Sequence, residues 1–233
     1  MPELGLVAAL EREIQPLVRN WRVEERENSG RRFRFFISED CVAVCGGIGT
    51  EAARRATEAV IELYHPTRVE SVGFVGALAA GLEVGQVLVI GSVIDARDSS
   101  RTETGSGEAV LVSFSSIAGE DQKSKLASAY GAQVVDMEAA GVVKSAEAHG
   151  IDFGAVKVVS DELGFPMPPM DGFIDGAGAF RTGSFVMHTI VRPWLWGQFL
   201  RLVVNSSRAA QALSRYLASR IEASVPVRTQ AGQ

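Results

Sequence analysis

Short apolar runs, most of them closed by glycines or by an acid, alternate with helix-patterned stretches along the first 161 residues of the chain. Leu4–Leu10 (LGLVAAL) reads as a buried strand, followed by Glu11-Arg12-Glu13 where the chain must turn. Arg32–Ser38 alternates partly, as an edge or antiparallel strand does, and Cys41–Cys45 returns beside it. Thr50–Tyr64 carries Ala52, Ala56, Ala59, Val60 and Leu63 on one helical face, with Pro66 beyond its end. Arg68–Val75, Gln86–Ile94 and Val110–Phe114 read as further strands, and Glu120–Tyr130 as a short helix. The polar, turn-rich stretch Arg97–Glu108 reads as a mobile excursion between them.

Gln133 to Asp161 reads as one strand–helix–strand unit in which both strands run into a carboxylate. Gln133–Met137 ends at Glu138, Ala139–His149 has Val142, Val143 and Ala146 at helical spacing with Gly150 to stop it, and the Val-rich run Phe153–Ser160 ends at Asp161. The continuous apolar character of such runs is that of parallel strands buried on both faces, and the alternation of strand and helix predicts an α/β fold with a mainly parallel sheet. Ligands of open α/β sheets bind outside the carboxyl ends of the strands, so the strand-end acids Glu13, Glu138 and Asp161 are candidates for one crevice. Each also fits a plainer role, because strand ends carry ordinary surface acids, and Glu138 and Asp161 stand where an acid would favour the positive end of a following helix.

Two small-residue loops add to the crevice. Gly46-Gly47-Ile48-Gly49 lies between a strand and a helix, where Gly47 and Gly49 fit either an anion site, phosphate included, or a tight turn. Gly76-Ala77-Leu78-Ala79-Ala80-Gly81 lets a ligand approach the backbone closely. Beyond Asp161 the pattern changes. Residues 162–183 are rich in Gly, Pro, Met and Phe, too apolar for a solvated linker, and 185–204 is more apolar still. Arg192, Pro193, Gln198 and Arg201 interrupt that second stretch and disfavour a membrane span. Asn205–Ala223 has the pattern of an amphipathic helix. These features predict one domain over 1–223, with a lid or a substrate- or membrane-facing segment at 162–204, and a flexible tail at 224–233.

Composition narrows the partners. A hydrophobic content of 46% over 233 residues is enough for one sizeable core. A net charge of -5 argues against a nucleic-acid surface, which needs clustered Lys and Arg, and points to a small-molecule partner. Cys41 and Cys45 flank one strand, too far apart to bridge, and read as core thiols of a reducing compartment. Three scattered histidines give no metal-ligand spacing, so neither a metal nor another cofactor is expected. The start of the chain lacks a basic n-region, which makes a cytoplasmic location the simplest reading.

The ordered set LGLVAALEREI, CVAVCGGIGTEAA, VGALAAGLEVGQVLV, VVDMEAAGV and AVKVVSDE resembles the nucleoside phosphorylase/nucleosidase superfamily, and within it the 5′-methylthioadenosine/S-adenosylhomocysteine nucleosidases. FIDGAGAFRTG followed by RPWLWGQFLRLVVNSSRAA resembles the C-terminal part of the hopanoid-associated phosphorylases, which remove adenine from adenosylhopane. The resemblance implies a three-layer α/β sandwich around a central mixed, mainly parallel sheet, a homodimer, and cleavage of the N-glycosidic bond of a 5′-substituted adenosine through a ribosyl cation. It gives Asp161 the role of general acid toward purine N7, Glu13 that of positioning and activating water, and Glu138 that of holding the ribose hydroxyls above Met137. Ile117 falls where the base is read, and Gly76, Ala77 and Ser160 fall on the binding wall. Ala77 stands where the nucleosidases usually have serine, which leaves a non-catalytic nucleoside-binding protein as an alternative. Phosphorolysis is a second alternative, although the loop lacks the arginines that surround phosphate in the phosphorylases. The apolar stretch at 162–204 departs from compact nucleosidases and fits core, dimer surface, a pocket for a greasy 5′ group, or peripheral membrane contact through 185–204.

Overall fold

The computed structural model describes residues 2–166 and 196–224. Its first half is an arm of strands. β1 (Leu4–Ala8) pairs in parallel with β4 (Cys41–Cys45) and with β5 (Arg68–Ala77), while β3 (Arg31–Ile37) and β2 (Arg22–Asn28) add antiparallel at the outer side. The second half closes on itself. β10 (Asp152–Asp161) pairs with β5 in parallel and with β6 (Val87–Asp95) antiparallel; β8 (Ala109–Ser113) and β9 (Val134–Asp136) then lead back to β5. The strands β5, β10, β6, β8 and β9 thus form a ring, and β1, β4, β3 and β2 extend from it as a sheet.

Helices cover both faces of this mixed sheet. On one, α2 (Thr50–Tyr64) and α4 (Ala139–Ala148) bury Ala53, Ala56, Val60, Val142 and Ala146 against Val7, Val44 and Val69. On the other, α1 (Glu11–Val18) and α5 (Trp196–Ser224) bury Ile14, Val18, Ala209, Leu213 and Leu217 against Leu6, Val72, Val156 and Val158. α3 (Glu120–Tyr130) packs Leu126 beside Val112 and Val135. The three-layer α/β sandwich is the architecture expected of the sequence, and both cysteines are free thiols.

Several boundaries differ from the sequence expectations. The turn after β1 is α1: Ile14 and Val18 lie one helical turn apart and are buried, which is enough to hold a two-turn helix although Pro16 forfeits one of its hydrogen bonds. Arg31–Ile37 is an inner strand, because RVEEREN pairs outside it as the true edge; its charged side chains are what an exposed edge requires. Ser100–Glu103, expected in a mobile excursion, forms β7 antiparallel to β6, its polar side chains facing solvent. The last helix begins at Trp196 and not at Asn205, so apolar residues of the 185–204 stretch are continuous with the amphipathic ones behind them. Expectations for 167–195 and for the tail at 225–233 lie outside the described residues. Among the described residues, no helix is long and apolar enough to cross a membrane.

α2 and α4 touch closely where Gly141 meets the first turn of α2: a Cβ at residue 141 would sit 2.2 Å from the Thr50 carbonyl oxygen. Thr50 also donates from its hydroxyl to the Met137 carbonyl at 3.1 Å, so this crossing fixes the glycine loop against the end of β9. Gly141→Ala is expected to cost about 1–3 kcal/mol by forcing the helices apart. That corresponds to a fall of roughly 2–12 °C in thermal midpoint for a domain of this size, measurable by circular dichroism.

Candidate active site

The cavity of interest arises where the sheet divides. Along one edge of β5 the register with β1 stops at Ser71, and the register with β9 starts at Gly76, while β10 occupies the opposite edge throughout. β1 and β9 therefore part at their carboxyl ends, and the gap is lined by Ala9 and Leu10 after β1, Phe74–Gly76 of β5, Val135–Glu138 at the end of β9 and just beyond it, and Ser160–Asp161 of β10. Glu13, Glu138 and Asp161 all line this one cavity, together with Met137, Ile117, Gly76 and Ser160.

Glu13 is buried in the first turn of α1, where its Oε2 accepts the amides of Ala9 and Leu10 at 3.2 Å each. The side chain so closes the helix terminus that positions it. Gly73 makes the space: with φ of 142°, it would place a Cβ 2.8 Å from Glu13 Oε2. Burial raises the Glu13 carboxyl above its usual range, against the opposing pull of the Leu10 amide, Lys157, Arg12 and the Ala9 amide.

Glu138 is the residue before α4, but it does not cap that helix. Asp136 does so, accepting the Ala139 amide at 2.9 Å, the Ser113 hydroxyl at 2.6 Å and Lys157 Nζ at 2.8 Å. Glu138 is thereby released into the cavity, half-buried, with Oε1 accepting the Gly49 amide at 2.9 Å and Oε2 the Met137 amide at 3.2 Å. Its carboxyl is pushed up to about 8, first by burial and then by neighbouring Asp136, against the pull of Lys157. Gly47 and Gly49 have φ of 98° and 101° and so serve the turn, and their amides are engaged by the Ala9 carbonyl and by Glu138. The amides proposed for an anion thus point to internal partners.

Asp161 ends β10. Its Oδ1 accepts the Ser160 hydroxyl at 2.8 Å, and its Oδ2 lies 2.5 Å from Nζ of Lys123 on α3. Ala77, expected on the binding wall, is instead fully buried among Val75, Val134 and Val159, because strand alternation turns it to the core side of β5. Leu202 and Ser206 of α5 complete the wall.

Three site residues escaped sequence reasoning. Lys157, a lone charge inside the Val-rich run AVKVVSD, carried a usable signal: a buried lysine needs a buried partner, and it has one in Asp136. Asp136 was overshadowed by Glu138 two residues on. Lys123 carried none, since nothing in EDQKSKLASAY separates it from Lys125, yet it is 1% exposed. Among the described residues, no group of three or more His, Cys, Asp and Glu is arranged to hold a metal ion.

Comparison with known proteins agrees with this architecture. A family model described as the Phosphorylase superfamily matches residues 3–118 and 109–172. Among curated proteins, none matches the chain. Similar solved structures include a Helicobacter pylori 5′-methylthioadenosine/S-adenosylhomocysteine nucleosidase bound to butyl-thio-DADMe-Immucillin-A, at 17% identity and a TM-score of 0.71, covering 96% of this chain and 99% of that one. Futalosine hydrolase of the same organism aligns at 16% identity and a TM-score of 0.70, covering 95% of this chain and 98% of that one. The Arabidopsis thaliana 5′-methylthioadenosine nucleosidase aligns at 19% identity and 0.71, covering 95% and 96%. At these identities the likeness is one of fold. The family match, however, runs from β1 through β10 and takes in Glu13, Glu138 and Asp161 of the cavity wall, so the chain belongs to the phosphorylase superfamily.

Proposed function

We propose that the chain cleaves the N-glycosidic bond of a 5′-substituted adenosine by hydrolysis, releasing adenine. The observation that carries this reading is the convergence of Glu13, Glu138 and Asp161 on one cavity at the carboxyl ends of β1, β9 and β10. Asp161 delivers a proton to purine N7 as the C1′–N9 bond breaks, so the base departs neutral. The ribosyl cation left behind lies near Glu138, whose carboxyl has a raised proton affinity while the site is empty and gives its proton up to water as the nucleoside binds, so that it faces the developing positive charge as a carboxylate. Glu13 takes the proton of the water that attacks C1′, and its raised affinity for protons makes it a better base than a solvated glutamate. Ile117 and Met137 offer apolar surface to the base and the sugar.

Hydrolysis is favoured over phosphorolysis because the Gly47 and Gly49 amides are already engaged. An apolar 5′ group is supported by Leu10, Ile48, Phe74 and Leu202 on the wall, and its assignment to a hopane side chain rests on the resemblance of the C-terminal sequence. Leu200, Val203 and Val204 are exposed on the first turns of α5, which supports a contact surface within 185–204, for a second copy in a homodimer or for a membrane holding the substrate. A cytoplasmic setting with that peripheral contact accords with this reading.

Incubation with 5′-methylthioadenosine and with longer 5′-alkyl analogues, with and without phosphate, is expected to release adenine in both conditions. Release only with phosphate would reverse the choice of nucleophile, and tight nucleoside binding in calorimetry without any release would favour a binding protein. Asp161→Asn is expected to lower the rate by about 10²–10⁴-fold. Gly73→Ala, which drives a methyl into Glu13 Oε2, is expected to lower kcat as Glu13→Gln does, since both displace or neutralise the same base.

Stability carries an independent signature of Glu138. Its proton is held more tightly in the folded state, at about 8 against 4.5 for the free side chain, so its contribution is full at low pH and is lost as pH rises through that interval. The thermal midpoint of the wild type should therefore decline between about pH 5 and pH 8, and Glu138→Gln should flatten that decline. Glu13, shifted the same way, leaves a residual slope.

A further inference from the structure

The Lys123–Asp161 pair has no counterpart among the roles assigned above. Lys123 Nζ lies 2.5 Å from Asp161 Oδ2 and donates to the Glu162 carbonyl at 2.8 Å, with the whole lysine 1% exposed. β5 leaves room for the pair with a glycine. A Cβ on Gly76 would lie 2.9 Å from Asp161 Oδ2, 3.3 Å from Lys123 Cε and 3.4 Å from its Nζ. Gly76 thus serves as the seat of an ion pair on the cavity wall. Burying such a pair is seldom a gain in stability over well-packed apolar residues, so its position on the wall asks for another account.

We infer that Lys123 is the positioning residue of the general acid: it fixes the Asp161 carboxyl from the side opposite Ser160 and carries the negative charge left on it once the proton has passed to the base. The inference rests on the glycosidase reading. The two oxygens of Asp161 are held from different elements, Oδ1 by the Ser160 hydroxyl on its own strand and Oδ2 by α3, which leaves the carboxyl no free rotation about its last bond. The other charges on the wall do not substitute for Lys123. Glu13, Asp136 and Glu138 are acids, and Lys157, which lies outside the lining, is engaged with Asp136. Arg12 stands at the α1 side of the cavity. The proton reaches Asp161 from water as the nucleoside binds; when it moves on to N7, the carboxylate that remains lies in a site crowded with acids, and the ammonium 2.5 Å away compensates it.

The test uses two substrates with the same sugar: the adenine nucleoside that the wild type turns over, and its 4-nitrophenyl glycoside, whose leaving group departs without protonation. Lys123→Met is expected to lower kcat on the nucleoside by about 10²-fold, with KM little changed, and to leave the nitrophenyl rate at the wild-type level. Lys123→Arg, which keeps the cation, restores most of the nucleoside rate. An equal loss on both substrates, or no loss on either, overturns the inference. Should Lys123→Met alone not fold, Lys123→Met combined with Asp161→Asn leaves no unpaired buried charge. Its nucleoside rate should equal that of Asp161→Asn alone, because Lys123 acts through Asp161, and a further loss overturns the inference. A wild type that cleaves neither substrate counts against the glycosidase reading itself, whereas failure of the variants beside an active wild type counts only against Lys123.

Discussion

The buried ion pair between Lys157 and Asp136 is the interaction on which the site depends. Lys157 comes from β10 and Asp136 from the end of β9, the two strands that flank β5 on opposite edges, so the pair spans the end of β5. Both partners are nearly inaccessible to water, and removing one would strand the other at a cost of about 3–5 kcal/mol. Asp136 spends its remaining capacity on the Ser113 hydroxyl and on the first amide of α4. Strand, helix and neighbouring strand are thereby locked at a single carboxylate, and because that carboxylate caps α4, Glu138 two residues on is free to face the cavity.

The same economy of position runs through the cavity. Glu13 ties the chain entering α1 to its own helix, and Glu138 holds the glycine loop through the Gly49 amide. Each acid thus has a structural partner on one side and the cavity on the other. Such double use explains why acids accumulate in a poorly solvated gap: the backbone amides offset part of the desolvation that water would otherwise relieve. What they do not offset remains as the raised proton affinities of Glu13 and Glu138.

Much of this was legible in the sequence because parallel strands buried on both faces announce themselves as unbroken apolar runs, and an acid directly after such a run stands out. β1, β4, β5, β9 and β10 and the acids Glu13, Glu138 and Asp161 were found in this way. The failures share a cause, which is that local pattern does not report tertiary partners. α1 is too short for its period to separate from a turn, β2 is polar because it is an edge, and β7 is polar because both its faces meet solvent. Ala77 lies next to Gly76 in sequence, yet the pleat puts the two on opposite sides, one in the core and one under an ion pair. Lys123 is invisible to local pattern because its partner, Asp161, stands on another element.

The last helix has two ends with different duties. Near its C-terminus Arg220 grips Glu70 at the base of β5 with both guanidinium nitrogens, at 2.9 and 3.0 Å, and Leu213 and Leu217 seat that half in the core. Near its N-terminus Leu202 and Ser206 form a wall of the cavity and touch none of the acids' anchoring bonds. Across its 29 residues, about 40 Å of continuous helix, the anchor and the wall are mechanically joined but chemically independent. Drift in the first three turns can therefore remodel the shape of the cavity while the acids stay in register, so one frame of carboxylates can be inherited by proteins that differ only in what they admit.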